Sequence, residues 1–105
     1  MTGWSRSARP EYKVYFDTPF EQSMEHLSRQ EKSTALDICS DVEKDGPVIK
    51  SGHIIHPNHG AVLVCARDRV VVLFREKVFG PQTYLAFATG RYSASDTGQA
   101  VIEIL

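Results

Sequence analysis

Most of the side chains in this sequence that could do chemistry are basic or aromatic. They fall between residues 61 and 92 and comprise Arg67, Arg69, Arg75, Lys77, Arg91, Tyr84 and Tyr92. Arginine forks hold phosphates, and tyrosine rings stack on unpaired bases. If neighbouring strands bring Arg75, Lys77 and Arg91 to one face, they could stabilise the charge of a phosphoryl transfer without a metal. The alternative is that arginines at strand ends are ordinary solvated residues that discourage aggregation.

Three histidines, His53, His56 and His59, recur at a spacing of three residues. Imidazoles are common ligands of zinc and other transition metals. Within a strand, however, positions 53 and 56 point to opposite faces, so only a turn after His56 could bring two rings together. We therefore predict neither a metal nor another cofactor. One histidine of the set, such as His56, could act as an acid or base near neutral pH, and otherwise all three are surface residues.

Bulk composition indicates one ordinary domain. The chain has 105 residues, is 42% hydrophobic and 24% charged, and carries a net charge of −1. We predict a flexible tail over residues 1–10 and a single domain over residues 11–105. The charge is uneven: residues 17–45 hold eight acids and three cations, whereas residues 61–91 hold five cations and two acids. No apolar span or export leader is apparent, and Cys39 and Cys65 are predicted to be buried, reduced thiols, so we expect a cytoplasmic protein.

The first half of the chain predicts a strand followed by two helices. Residues 12–16 alternate aromatic and β-branched side chains, which is typical of a strand. Thr18 is predicted to cap a first helix, with Pro19 in its first turn, and Ser28 and Glu31 form a capping box that starts a second helix over residues 29–44. Gly46 is expected to end it. One long helix over residues 19–44, kinked at Ser28, is the alternative.

The second half predicts strands around a hairpin at residues 61–77. Its two apolar runs flank a polar turn and are apolar on both parities, so both faces should be covered. Further strands are expected at residues 48–55, 83–89 and 101–105, with a surface loop at 90–98. The sum is an α+β fold: an N-terminal strand and two helices on one face of an antiparallel sheet of four to six strands.

This order of elements resembles the RelE/ParE superfamily of bacterial toxins. The resemblance covers residues 12–90: the strand 12–16, the apolar positions Phe20, Met24 and Leu27, the second helix at 36–42, and the strands 61–66, 70–77 and 83–89. It implies helices packed on a curved antiparallel sheet and an antitoxin partner. Many members cleave messenger RNA on the ribosome without a metal, whereas ParE-like members poison gyrase.

By position, the resemblance implies a set of catalytic candidates in this chain: Arg67, Arg75, Lys77, Arg91, Tyr92 and His56. A ribose 2′-hydroxyl would attack the adjacent phosphate, with arginines stabilising the charge and Tyr92, Lys77 or His56 moving protons. Two features depart from the family, namely the net charge of −1 and the weakly charged segment at residues 50–53. The alternative is a non-catalytic module that binds a protein or a second copy through the sheet face or an edge strand.

Overall fold

The protein has an α+β fold in which two helices pack on a six-stranded, mostly antiparallel sheet. The structure is a computed structural model that describes residues 12–47, 51–94 and 100–105, so the tail predicted at residues 1–10 lies outside the described residues. The elements, in chain order, are β1 (Lys13–Phe16), α1 (Thr18–Met24), α2 (Arg29–Asp45), β2 (Ser51–His56), β3 (Gly60–Arg67), β4 (Val70–Glu76), β5 (Thr83–Ala94) and β6 (Ala100–Ile104). The predicted fold class is confirmed.

The strand order of the sheet is β1-β5-β4-β3-β2, and β6 also pairs with β5. Strands β2 to β6 pair antiparallel, but β1 runs parallel to β5 over residues 83–86. Strand β6 pairs with β5 over residues 90–94. Because β4 occupies the other side of β5, β1 and β6 must lie end to end along the same edge.

The two helices begin where local side chains satisfy their first N–H groups. Asp17 caps α1 by accepting from the Phe20 N–H at 3.0 Å, so the prediction that Thr18 is the cap was wrong by one residue. The capping box of α2 is confirmed, with Glu31 N–H donating to the Ser28 hydroxyl and Ser28 N–H donating to the Glu31 carboxylate. Two separate helices therefore form. Neither described helix is both long and apolar enough to cross a membrane.

The predicted hairpin is confirmed as β3 and β4. Its turn residues Asp68 and Arg69 have φ values of 50° and 70°, the left-handed conformation of tight two-residue hairpin turns. The apolar runs are buried on both parities, as their composition predicted. On the helix-facing side, Leu63, Cys65 and Phe74 pack with α2 in one core cluster.

The opposite face of the sheet is covered by the chain itself. Its central residues are at most 7% exposed: Val62, Val64, Val71, Leu73, Phe87 and Ala88. Ile54 of β2 and Ile102 of β6 pack against this cluster. The sequence alone left this face without assigned cover. Its apolarity, which first suggested a partner, is thus accounted for within the chain.

Strand β5 is longer than predicted, because residues 90–94 continue it instead of forming a loop. Gly90 explains the difference: a Cβ there would collide with the carbonyl oxygen of Glu103, so glycine allows β6 to pair closely. One extra residue of β5 is also accommodated opposite β4, since Leu73 pairs with Ala88 and Phe74 with Ala86. This bulge leaves Phe87 and Ala88 in the same apolar cluster.

Candidate nucleic-acid interface

The basic residues predicted as catalytic divide between the two ends of the sheet. Arg67 and Arg91 lie in one row, because both are in register with Val70 of β4. Arg75 lies five residues further along β4, about 17 Å away at the usual rise of a strand. Lys77 directly follows that strand. The structure therefore does not bring these four side chains into one cleft.

Arg91 links the start of α2 to the edge of the sheet. Its guanidinium donates to both carboxylate oxygens of Glu31, at 2.8 and 3.0 Å, and to the carbonyl oxygen of His26 at 3.1 Å. Glu103 of β6 lies 3.8 Å away. A bidentate pair of this kind has well-defined geometry. The guanidinium is thus already engaged by protein groups.

The electrostatics around Arg91 confirm this engagement. Hydrogen bonds from Arg91 and from the Ser28 backbone lower the pKa of Glu31 from 4.5 to about 2, and the same pair raises the pKa of Arg91. A cavity of about 550 Å³ opens beside the pair and is lined by Arg69, Arg91, Glu31 and Glu103, among other residues. Two carboxylates offset two guanidinium groups there, so this cavity has little net attraction for phosphate.

Arg67 is engaged in the same way by α2. Its guanidinium lies 2.8 Å from the carboxylate of Asp41, at the exposed end of the hairpin. We call Arg67 and Arg91 the helix-linked arginines. Both point to the helix-bearing face of the sheet and each holds that face to an acid of α2.

Tyr92 and His56 do not join the helix-linked arginines. Tyr92 packs against the apolar cluster on the opposite face from Arg91. His56 also lies on that face, where its ring centroid is 5.4 Å from Phe87 and 4.9 Å from His59. No proton-transfer pair of Arg91 with Tyr92 or with His56 is therefore assembled among the described residues.

The three histidines separate as the alternation of a strand requires. His53 bonds to Glu76 at 2.7 Å, whereas His56 and His59 pack on Phe87. Within residues 12–47, 51–94 and 100–105, no three metal-binding side chains come close enough to hold an ion.

Both cysteines are core residues, as predicted. Cys39 and Cys65 are buried and unbridged, and burial raises the pKa of each thiol to about 12. Neither thiol is therefore a ready nucleophile at neutral pH.

Tyr84, which the sequence suggested as a partner of the arginines, is 7% exposed on the helix-facing side. Its ring packs against Phe74 and Tyr12, with both pairs of centroids 6.2 Å apart. Burial raises its pKa. Tyr84 is thus a core residue, and the idea that it stacks on a base from this position was wrong.

A different aromatic residue lies in the same row of the sheet as Arg75. The parallel pairing of β1 places Tyr15 next to Leu85, and the antiparallel pairing of β4 places Arg75 on the other side of Leu85. These three side chains form a row across three strands, on the face opposite the helices. Tyr15 is 42% exposed. Phe79, from the connection between β4 and β5, packs its ring against Tyr15 with centroids 4.9 Å apart and is 64% exposed.

Two lysines lie at the same end of the sheet as this pair of rings. Lys13 is two residues before Tyr15 on the same strand face, and Lys77 N–H donates to the carbonyl of Thr83, the residue in register with Lys13. We call this surface the basic aromatic patch; it consists of Lys13, Tyr15, Arg75, Lys77, Phe79 and Leu85.

The cations of the basic aromatic patch are not neutralised by any acid that the structure describes. Within the described parts of the chain, Lys13, Arg75 and Lys77 form no ion pair. Among the described residues, the acids nearest in sequence are already engaged, since Glu76 bonds to His53 and Asp17 caps α1. The patch therefore combines unpaired positive charge with exposed aromatic area.

Sequence reasoning identified Arg75 and Lys77 but missed Lys13, Tyr15 and Phe79. Lys13 and Tyr15 were a usable signal, because residues two apart in a strand lie on the same face. The parallel pairing that sets this strand beside β5 was not visible in the sequence.

Comparisons with known protein families, curated proteins and solved structures find no match to this chain.

Proposed function

We propose that this protein binds single-stranded nucleic acid through the basic aromatic patch, with RNA as the ligand expected from the sequence. The observation that carries the proposal is the row of Tyr15, Leu85 and Arg75, extended by the exposed ring of Phe79. Proteins that bind single strands commonly combine cations along the backbone with aromatic rings on which bases stack.

Each part of the patch has a distinct role in this proposal. Arg75, Lys77 and Lys13 contact phosphates, and this exchange is favourable because they form no ion pair within the described residues. Tyr15 and Phe79 contact base faces, which a duplex keeps stacked within the helix. The net charge of −1 does not oppose this binding, because a local cluster of cations decides the potential at a surface within a Debye length of about 8 Å.

The experiment is a titration of a fluorescently labelled oligouridylate with the full chain, followed by anisotropy at several salt concentrations. We expect saturable binding that a duplex of the same length competes for poorly. Arg75→Gln should weaken binding and lower the salt slope by about 0.7, the value for one lost phosphate contact. Arg67→Gln is the matched control, because it removes an arginine that Asp41 already pairs. No binding at low salt would overturn the proposal.

Metal-independent RNA cleavage is a second candidate, favoured by the register that places Tyr15 and Arg75 in one row across the sheet, with Lys77 directly after β4. Two cations could stabilise a phosphate that gains charge while the phenol transfers a proton. This candidate carries with it the antitoxin partner and the cytoplasmic location that the sequence predicts. Incubating RNA with the protein and a chelator should yield 2′,3′-cyclic phosphate ends that Tyr15→Phe abolishes. Intact RNA under conditions where it is bound would contradict this candidate and leave binding unaffected.

A further inference from the structure

Strand β1 has an outer edge that the described residues leave largely unpaired. Lys13 N–H donates to the Gln82 carbonyl and Asp17 N–H to the Ala86 carbonyl, so the odd-numbered residues of β1 face β5. The alternation of a strand then turns the N–H and C=O groups of Val14 and Phe16 away from β5. Val14 N–H meets only a carboxylate oxygen of Glu43 at 3.5 Å. Edge strands with open backbone groups accept a further strand.

Apolar side chains flank this edge on both faces. On the helix-bearing face, Phe16 and Leu36 are 49% and 50% exposed and border a groove of about 170 Å³ between β1 and α2. On the other face, Tyr15 and Phe79 are exposed. An added strand would therefore bury apolar area on the helix-bearing face and bring further aromatic rings beside those on the other face.

We propose that a second copy of this chain pairs through β1, antiparallel and with Tyr15 opposite Tyr15 of the partner copy on a two-fold axis. The sequence of β1 is complementary to itself in this register. Val14 lies opposite Phe16 of the other copy, and the two-fold axis repeats this pairing once. At each position, the outward-pointing N–H and C=O groups of the two residues bond to each other. Lys13 lies opposite Asp17 of the other copy, so no like charges face each other at either end.

The same register explains the flanking surfaces. Each Phe16 enters the other copy's groove beside Leu36, and the Tyr15 and Phe79 rings of both copies meet around the axis. The two basic aromatic patches then become one continuous surface. The inference goes beyond nucleic-acid binding and does not depend on it, because it rests on the backbone geometry of β1.

The test is disulfide trapping of the full chain. In this register the two Tyr15 Cα atoms are about 4.5 Å apart, within disulfide range, whereas the two Lys13 positions are about 13 Å apart along the strands. Oxidised glutathione should convert Tyr15→Cys into a disulfide-linked dimer, with two molecules of reduced glutathione released per bond. Cys39 and Cys65 are buried, so they stay out of the reaction.

Lys13→Cys is the matched control and should remain monomeric on a non-reducing gel. Sedimentation supplies the second readout, because Leu36→Asp should raise the dimer dissociation constant about tenfold or more by placing a charge in the groove. Gln30→Asp adds the same charge to α2 outside the groove lining and should leave the constant unchanged. Equal trapping at both cysteine positions, or trapping at neither, would overturn the inference while leaving the oligouridylate titration interpretable.

Discussion

The two ends of strand β4 carry the same kind of residue in opposite circumstances. At one end, the helix-linked arginines Arg67 and Arg91 each bond to a carboxylate of α2. At the other end, Arg75 and the neighbouring lysines have no carboxylate partner among the residues that the structure describes. The aromatic neighbours differ as well, since the exposed rings of Tyr15 and Phe79 lie only at the second end.

This difference teaches that the count of basic residues in a segment does not locate a binding surface. A guanidinium that already donates to a carboxylate must lose that partner before it can hold a phosphate, whereas an unpaired one exchanges only water and ions. We therefore assign the helix-linked arginines to stability and the basic aromatic patch to recognition. Each prediction below changes one of these two regions and measures both properties.

The largest effect is expected for Phe79→Ala. Loss of one stacked base should cost about 1–3 kcal/mol of binding, or roughly five- to 150-fold in affinity for the oligouridylate. The ring is 64% exposed, so the free energy of unfolding should change little. Ile55→Ala removes an apolar side chain that is 80% exposed on β2 and serves as the matched control. Equal losses of affinity in both variants would mean that the basic aromatic patch contributes no more to binding than other exposed apolar surface does.

Arg91→Met should have the reverse effect. It leaves Glu31 without its bidentate partner and removes the donor to the His26 carbonyl, so the melting temperature should fall by several degrees. Nucleic-acid affinity should stay within error of the unmodified protein. Arg69→Met is the control, since Arg69 lies nearby without an ion pair in the described structure. A large loss of affinity in Arg91→Met with unchanged stability would reverse our assignment.

The stability that Glu31 gains from the helix-linked Arg91 should depend on pH. Its pKa is about 2 when folded and 4.5 ordinarily, so its carboxylate contributes stability that is fully present above about pH 4.5 and is lost as the pH falls towards 2. Denaturant titrations over this window measure how steeply the unfolding free energy falls as the pH is lowered. In Glu31→Gln this slope should decrease by the contribution of about one proton. An unchanged pH profile would mean that the pair with Arg91 does not persist in solution.

The smallest effect is expected for Arg67→Gln. Its partner Asp41 and its own side chain are both partly exposed, so the pair should contribute about 0.5 kcal/mol or less to the free energy of unfolding. Affinity for nucleic acid should not change. A drop in affinity as large as that of Arg75→Gln, measured in the same titration, would show that both ends of β4 recognise the ligand.

Local signals were enough to predict much of the fold. The capping box at Ser28 and Glu31 separated the two helices, and the double-sided apolar runs of β3 and β4 identified the centre of the sheet. These features depend on residues close in sequence. The full length of β5 was not predicted because a glycine such as Gly90 is typical of turns. In the structure, the missing Cβ of Gly90 is what allows β6 to pair closely with β5.

The site depended on contacts between residues distant in sequence. Arg91 meets Glu31 across 60 residues, and no local pattern distinguishes it from the unpaired Arg75. Tyr15 joins Arg75 only because β1 is inserted parallel to β5. The sequence therefore supplied the right chemical class of residue but could not tell which members were already neutralised.

The central claim is most directly tested by ultraviolet cross-linking of the oligouridylate to the full chain, followed by mass spectrometry of the peptide adducts. Aromatic side chains that stack on a base are the ones in position to form adducts with it. Our account predicts adducts on Tyr15 and Phe79, assigned to these residues by fragmentation of the peptides. Adducts confined to Tyr92 or to His56, with none on Tyr15 or Phe79, would contradict it.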